Sequence, residues 1–379
     1  MHRKRIAVAA ALAAASLAAQ AADIQAGDWT VSIGGNVNAF YTYSDCKQPA
    51  GTVAGTALGD AALACGGKNK STVIGNGLLP SYLSVGAKSR QGGFDVGAVI
   101  GIGVATATGD ALSQNSTVDV RQGYLTFGNG EIGSFKMGRD YGLFGLHSVL
   151  GDMTLLGVGA ATRATQNGRV SLGHLGAGMT YPGTYGQMTY STPGLGGLGL
   201  DVGLMSPVDV AGAQTADSKG PQLQLRGTYD GGGFKAWVAA KYQKFEANSA
   251  NPAFNMSAVE LGGKADFGAF GLLGNFQMGK GLGILTDGDQ GDIKGKNLFV
   301  QGTFKATDRL KLGLGYGRSR NDAGAGNGLR SNDNATAGAY FSLTPSITLV
   351  AEIGRTQSKA FSGASAKQNS LALGGILFF

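Results

Sequence analysis

Few side chains in this sequence can do chemistry, and spacing decides what each could do. After His2, the chain holds only His147 and His174. A hydrolase needs a histidine beside a nucleophilic hydroxyl, plus a third group that orients the ring. His147 is followed directly by Ser148, but neighbours on a strand point to opposite faces. Both histidines read as loop residues, and no catalytic residue is assigned. Gly128-Asn129-Gly130-Glu131-Ile132-Gly133 matches the dinucleotide fingerprint, which binds pyrophosphate only where a helix follows. Here a strand pattern follows, so the match reads as a hairpin turn. No Cys/His spacing suits a metal, and no metal or other cofactor is expected. Cys46 and Cys65 lie 19 residues apart. In an oxidising compartment such an even pair predicts one disulfide, the alternative being two free thiols.

That compartment is predicted by the first 21 residues. Arg3, Lys4 and Arg5 precede an uncharged stretch rich in Ala, Val and Leu, and Ala19-Gln20-Ala21 supplies small residues at a cleavage site. The stretch is too short to span a bilayer as a helix. Residues 1–21 therefore read as a signal peptide cleaved after Ala21. Removing 21 residues and three basic charges from 379 and +7 leaves 358 residues and +4. So mild a charge, with no dense Lys/Arg run, makes no case for nucleic acid. No later segment is apolar for long enough to be a membrane helix. The longest uncharged stretch, Val170 to Leu200, is broken by Pro182, Pro193 and several glycines.

The elements that must position any site are strands. Trp29, Val31, Ile33, Val37, Ala39, Tyr41 and Tyr43 alternate with Thr30, Ser32, Asn36, Asn38 and Thr42. That is a strand with one apolar and one wet side. The pattern recurs at Phe94 to Val104, Phe234 to Tyr242, Leu310 to Tyr316 and Ile347 to Ile353. Sixteen such segments can be counted, the sixth starting near Gly176 and the fourteenth near Asn334. Tight turns such as Gln91-Gly92-Gly93 take turns with long connections such as Ser44 to Leu79 and Tyr141 to Leu175. Short turns on one rim and long loops on the other, with aromatics at strand ends, predict an all-β, antiparallel transmembrane barrel over residues 22–379. A lipid-embedded sheet can have no open edge, so the strand ending at Phe379 must pair with the first. A Lys or Arg facing lipid at mid-membrane costs ~2–4 kcal/mol. Lys88, Arg121, Arg226, Lys241 and Lys311 are therefore expected to face the lumen or a rim, and Lys88 and Arg90 are counted among the pore-lining residues. A lumen lined by Thr, Gln, Asn, Lys and Arg is wet and would pass polar solutes.

The stretch Val120 to Gly145, VRQGYLTFGNGEIGSFKMGRDYGLFG, resembles the general porins of Gram-negative bacteria. Arg121-Gln122-Gly123-Tyr124-Leu125 is similar to the family's fourth-strand pattern. Gly133-Ser134-Phe135 through Met137-Gly138-Arg139 is similar to the strand before its third loop. Phe379, with apolar residues at every second position before it, resembles an outer-membrane assembly signal. The resemblance implies a sixteen-stranded homotrimer whose third loop, here 141–175, folds into the lumen. It also implies that Arg121 and Arg139 belong to the basic wall of a constriction, although Lys136 and Arg139 fall on opposite faces unless a bulge intervenes. Two family features are missing. Ser84 stands where relatives carry an Arg, and Met153 to Gly159 replaces an acidic loop motif. In that loop the only acid is Asp152, against Arg163 and Arg169, a balance that predicts weak anion preference.

The leading expectation is a passive outer-membrane channel for small hydrophilic solutes and ions, in contact with membrane lipid. A substrate-selective porin would instead show saturable block by one solute. An outer-membrane hydrolase would lose activity on His147→Ala or His174→Ala. The 67 glycines would also suit a β-rich adhesin, but no strict repeat period is present.

Overall fold

The computed structural model describes residues 22–47, 52–106, 118–163, 170–209, 220–247 and 252–379. The expected signal peptide, 1–21, lies outside them. Sixteen strands form the ring. The first eight are β1 (Trp29–Lys47), β2 (Ser81–Gln91), β3 (Phe94–Val104), β4 (Asp119–Asn129), β5 (Gly133–Tyr141), β6 (Thr184–Ser191), β7 (Leu198–Met205) and β8 (Gln222–Asp230). The others are β9 (Phe234–Phe245), β10 (Phe254–Phe267), β11 (Phe270–Lys280), β12 (Lys294–Lys305), β13 (Leu310–Asn321), β14 (Leu329–Ser342), β15 (Ile347–Ala360) and β16 (Ser365–Phe378). Each pairs antiparallel with its chain neighbour, and β16 closes on β1 from Phe378↔Asn36 to Lys367↔Lys47. Gly35 and Phe379 exchange backbone hydrogen bonds of 2.8 and 3.1 Å, completing that seam at the last residue. Two further short strands extend existing lanes: Ala22–Ala26 pairs with the start of β1, and Lys70–Gly75 with its far half, in line with β2.

Alternation sets the two faces. Val37, Leu261, Leu314 and Ile353 are each at least 60% exposed on the outside, while Asn38, Gln277, Asn297 and Glu352 are buried on the inside. Every long strand contributes to the outer apolar band, far more surface than a water-soluble monomer leaves open. The short turns gather at one rim. Gly92 and Gly93 both have positive φ, 55° and 85°, as the two central residues of a tight hairpin turn of that hand require.

Two strand starts differ from the sequence expectation. The sixth strand begins at Thr184, not near Gly176. Gly176, Gly178 and Gly183 have φ of 75°, 140° and 74°, which breaks extended backbone, and Ala177 and Met179 are both buried inside the barrel. The fourteenth strand begins at Leu329, not Asn334. A register shift between Leu329 and Ser331 lets a polar run that reads as loop join the sheet.

The core lies inside the ring. The connection between β5 and β6, residues 142–183, contributes Val149, Ala160, Leu172, Leu175, Ala177 and Met179 to an apolar cluster with Trp237 and Phe299 of the wall.

Candidate channel constriction

The inward polar residues of β8 and β10–β16 hold the 142–183 segment by its backbone. Gln224 Oε1 on β8 accepts from the Leu143 and Phe144 amides at 2.7 and 3.0 Å. Glu260 on β10 accepts from the Gly145 amide at 2.7 Å and from the Ser148 hydroxyl at 2.9 Å. Gln277 on β11 takes the Thr180 amide at 3.0 Å, and Gln301 on β12 the Met153 amide at 2.6 Å. Ser319 on β13 takes the Gly178 amide at 3.0 Å. Asn332 on β14 donates to Gly176 O at 3.0 Å, and Gln368 on β16 to Ala161 O at 2.9 Å. Glu352 Oε2 on β15 accepts from both Val158 and Gly159 amides at 2.8 Å. An irregular segment in a confined space must find partners for its peptide groups, and strand alternation delivers one partner per strand. The approach is closest at β13, where a Cβ on Gly317 would stand 1.8 Å from Ala177 O.

Within the segment, His174 Nδ1 lies 2.9 Å from Asp152 Oδ2, both side chains being buried. Burial opposes ionisation of Asp152, but the imidazole and hydrogen bonds from Thr154 outweigh it and hold the carboxyl below its ordinary range. The other edge of the His174 ring packs on Gly315 of β13. His147 is packed against Trp237, and burial, reinforced by Arg226, pushes it down to about 3. The Ser148 hydroxyl is committed to Gly145 O and Glu260. The hydroxyl next to His147 in sequence is therefore not free to act as a nucleophile.

On the opposite wall, Arg121 points inward. It occupies a bulge in β4, where Gly101 pairs with Gln122 but Ile102 pairs with Val120. Its guanidinium binds Asp119 at 2.6 Å and reaches across to the Tyr181 hydroxyl of the inner segment at 2.9 Å. Beside it Lys136 meets Asp140 at 2.5 Å. Further round, Arg226 pairs with Asp201 at 2.8 Å, and Lys241 with Asp287. Asp119, Asp140, Asp201 and Tyr181 are partners that sequence reading did not single out; inward parity was the available signal for the three aspartates.

The other expected residues lie elsewhere. Lys88 and Arg90 sit at the short-turn rim, Lys88 3.8 Å from Asp23 and Arg90 2.8 Å from Asp95. Arg139 faces outward: it pairs with Gly123 and Gly186, shares a face with Met137, and donates to Thr184 Oγ1 at 3.1 Å. No bulge interrupts β5, so Lys136 takes the inward position and Arg139 does not join a basic inner wall. Arg163 is exposed and lies under the first long connection, its amide on Leu63 O at 2.9 Å and its Nη1 on Thr72 O at 3.3 Å. Arg169 lies outside the described residues. Cys46 and Cys65 form a disulfide that ties the short helix Ala61–Ala64 to the end of β1.

This architecture is shared with solved outer-membrane proteins. The outer membrane channel DcaP of Acinetobacter baumannii superposes with a TM-score of 0.70 at 17% identity, covering 94% of this chain and 100% of that one. OmpF of Salmonella typhi, solved in complex with daunomycin, gives 0.62 at 13% identity, covering 93% and 100%. OmpT of Vibrio cholerae, an outer membrane protein solved in a trimer form, gives 0.57 at 15%, covering 93% and 99%. No curated protein matches this sequence significantly. The family model described as Gram-negative porin matches residues 7–360, and the chain belongs to that family.

Proposed function

We propose that this porin is a general-diffusion channel with a weak preference for small anions, and that it has no catalytic role. Passive conduction across the outer membrane follows from the family and the closed barrel. The anion preference rests on one observation. The inward cations of the β4–β9 wall are matched by carboxylates, whereas Lys305 and Lys311, inward-facing near the short-turn rim, have no ion-pair partner among the described residues. Lys311 instead lies 5.3 Å above the Tyr340 ring. Unmatched charge in a narrow, low-dielectric opening concentrates counter-ions. In a planar bilayer with a tenfold KCl gradient, the reversal potential should have the anion-selective sign. Lys305→Gln with Lys311→Gln should bring it towards zero. A cation-selective wild type would refute the reading.

We read the chain as a homotrimer exported through cleavage of residues 1–21. Arg139 supports the assembly. It projects from the outer face six residues beyond the start of β5, where contact with lipid would cost ~2–4 kcal/mol. Cover by a second copy would relieve that cost, and OmpT of Vibrio cholerae was solved in such a trimer form. Arg139→Glu should convert the trimer to monomer on a semi-native gel; an unchanged trimer would count against this wall as the contact.

A further inference from the structure

We propose that the outer surface of β10–β13 binds one phosphorylated lipid of the outer leaflet. On that face five cations cluster at the long-loop end of the strands: Lys280, Lys294, Lys296, Arg318 and Arg320. They face outward. Lys296 alternates in phase with Leu298 and Val300, and Arg318 and Arg320 with Leu314, all three apolar residues being more than 40% exposed. Registry sets like charges directly opposite each other, Lys280 against Lys294 and Lys296 against Arg320. Such pairs destabilise a sheet unless something neutralises them. Asp292, Asp322 and Asp333 do so in part: Lys280–Asp292 is 3.0 Å, Lys296–Asp322 is 3.7 Å, and Asp333 holds Arg318. Lys294 and Arg320 have no carboxylate partner among the described residues, and the cluster keeps a net charge of +2, five cations against three carboxylates.

Below the cations the wall is hollowed. Gly263, Gly274 and Gly302 form the floor of an open cleft of about 660 Å³, flanked by Leu272, Leu314 and Tyr316. Gly274 lies six residues from Lys280 on the same strand and face, about 20 Å along it. A cation cluster at headgroup height above an apolar cleft at acyl-chain depth matches one occupant, an anionic lipid with its phosphate on Lys294, Lys296 and Arg320 and a chain in the cleft. Surface cations attract anionic headgroups by ~1 kcal/mol each. The patch lies across the ring from Arg139, so assembly through the β4–β6 wall leaves it facing lipid.

The test counts bound lipid by native mass spectrometry on the purified protein. The probes are bis-phosphorylated lipid A and its dephosphorylated counterpart. Wild type should retain the phosphorylated form and release the other. Lys294→Gln with Lys296→Gln and Arg320→Gln should weaken retention roughly 100-fold, three charges at the quoted value. Lys47→Gln with Lys70→Gln, exposed cations on β1 and on the short strand paired with it, several strands from the cluster, should retain it. Equal retention of the two lipids, or no loss in the triple variant, or equal loss in the remote variant, would overturn the proposal. Single-channel conductance of the triple variant reports that the barrel is intact, independently of lipid binding.

Discussion

Replacing Glu352 tests whether the inner segment is pinned by the wall or merely rests against it. Its Oε2 accepts two buried amides, Val158 and Gly159, each at 2.8 Å, and its Oε1 accepts the Tyr340 hydroxyl at 2.6 Å. Glu352→Ala leaves both amides without an acceptor, at about 1–3 kcal/mol for each buried group. The docked state of residues 157–161 should then lose roughly 4 kcal/mol, which multiplies the released population by about 10³. The neighbouring ties, Gln368 to Ala161 O and the Leu78 amide to Gly157 O, both at 2.9 Å, keep the rest of the segment in place. Release should therefore be local and reversible, seen as flicker and a raised mean conductance in single-channel records. Glu352→Gln keeps one oxygen for both amides and an NH₂ facing the tyrosine, so it should behave as wild type. Circular dichroism and heat-modifiable mobility on gels check that both variants form the barrel. Quiet Glu352→Ala records that superimpose on wild type would refute the pinning argument, and so would an equal disturbance by Glu352→Gln.

His147 makes stability depend on pH. Burial first, then Arg226, depresses it from 6.5 to about 3, so between those values the unfolded chain binds a proton that the folded chain does not. Stability is then fully present above pH 6.5 and falls by about 1.4 kcal/mol per unit on acidification towards 3. Thermal unfolding at pH 7 and pH 4 should show the loss in wild type and a flatter profile in His147→Gln; parallel profiles would remove the histidine as the cause. Cys46→Ser with Cys65→Ser opens a bridge with a sequence separation of 19 and should lower stability by ~3 kcal/mol on the loop-closure account, read as a lower unfolding temperature without change in conductance.

Much of the barrel was legible because alternation is a local signal. Each apolar stripe, from Val37 and Tyr41 in β1 to Leu371 and Leu373 in β16, is written in consecutive residues and faces outward as expected. The failures share a cause. Gly176 to Gly183 contains an alternating run, yet positive-φ glycines and the walls around it keep it from extending. Arg121 and Arg139 both sit in motifs that resemble a basic wall. A bulge in β4 and its absence in β5 place one inside and the other outside, and a one-residue offset is invisible in side-chain types. Asp152 and Arg163 lie in the expected loop, but the charge that reaches a permeating ion depends on pairing across many residues. Asp152 is held by His174, and Arg163 lies under the first connection.

The same polar residues that predict a wet lumen also hold a chain segment inside it. Gln224, Gln277, Gln301 and Glu352 are committed to peptide groups of the 142–183 segment rather than to water. Those ties fall on β8 and β10–β16, while the β4 wall meets the segment through Arg121 and Tyr181. A solute moving along that wall passes cations that are each already matched: Arg121 by Asp119, Lys136 by Asp140 and Arg226 by Asp201. Opposite charges a few ångströms apart cancel at the distance of a hydrated ion, leaving dipoles that orient water without strongly selecting charge. On that account the proposed anion preference would have to come from cations outside these pairs, such as Lys305 and Lys311.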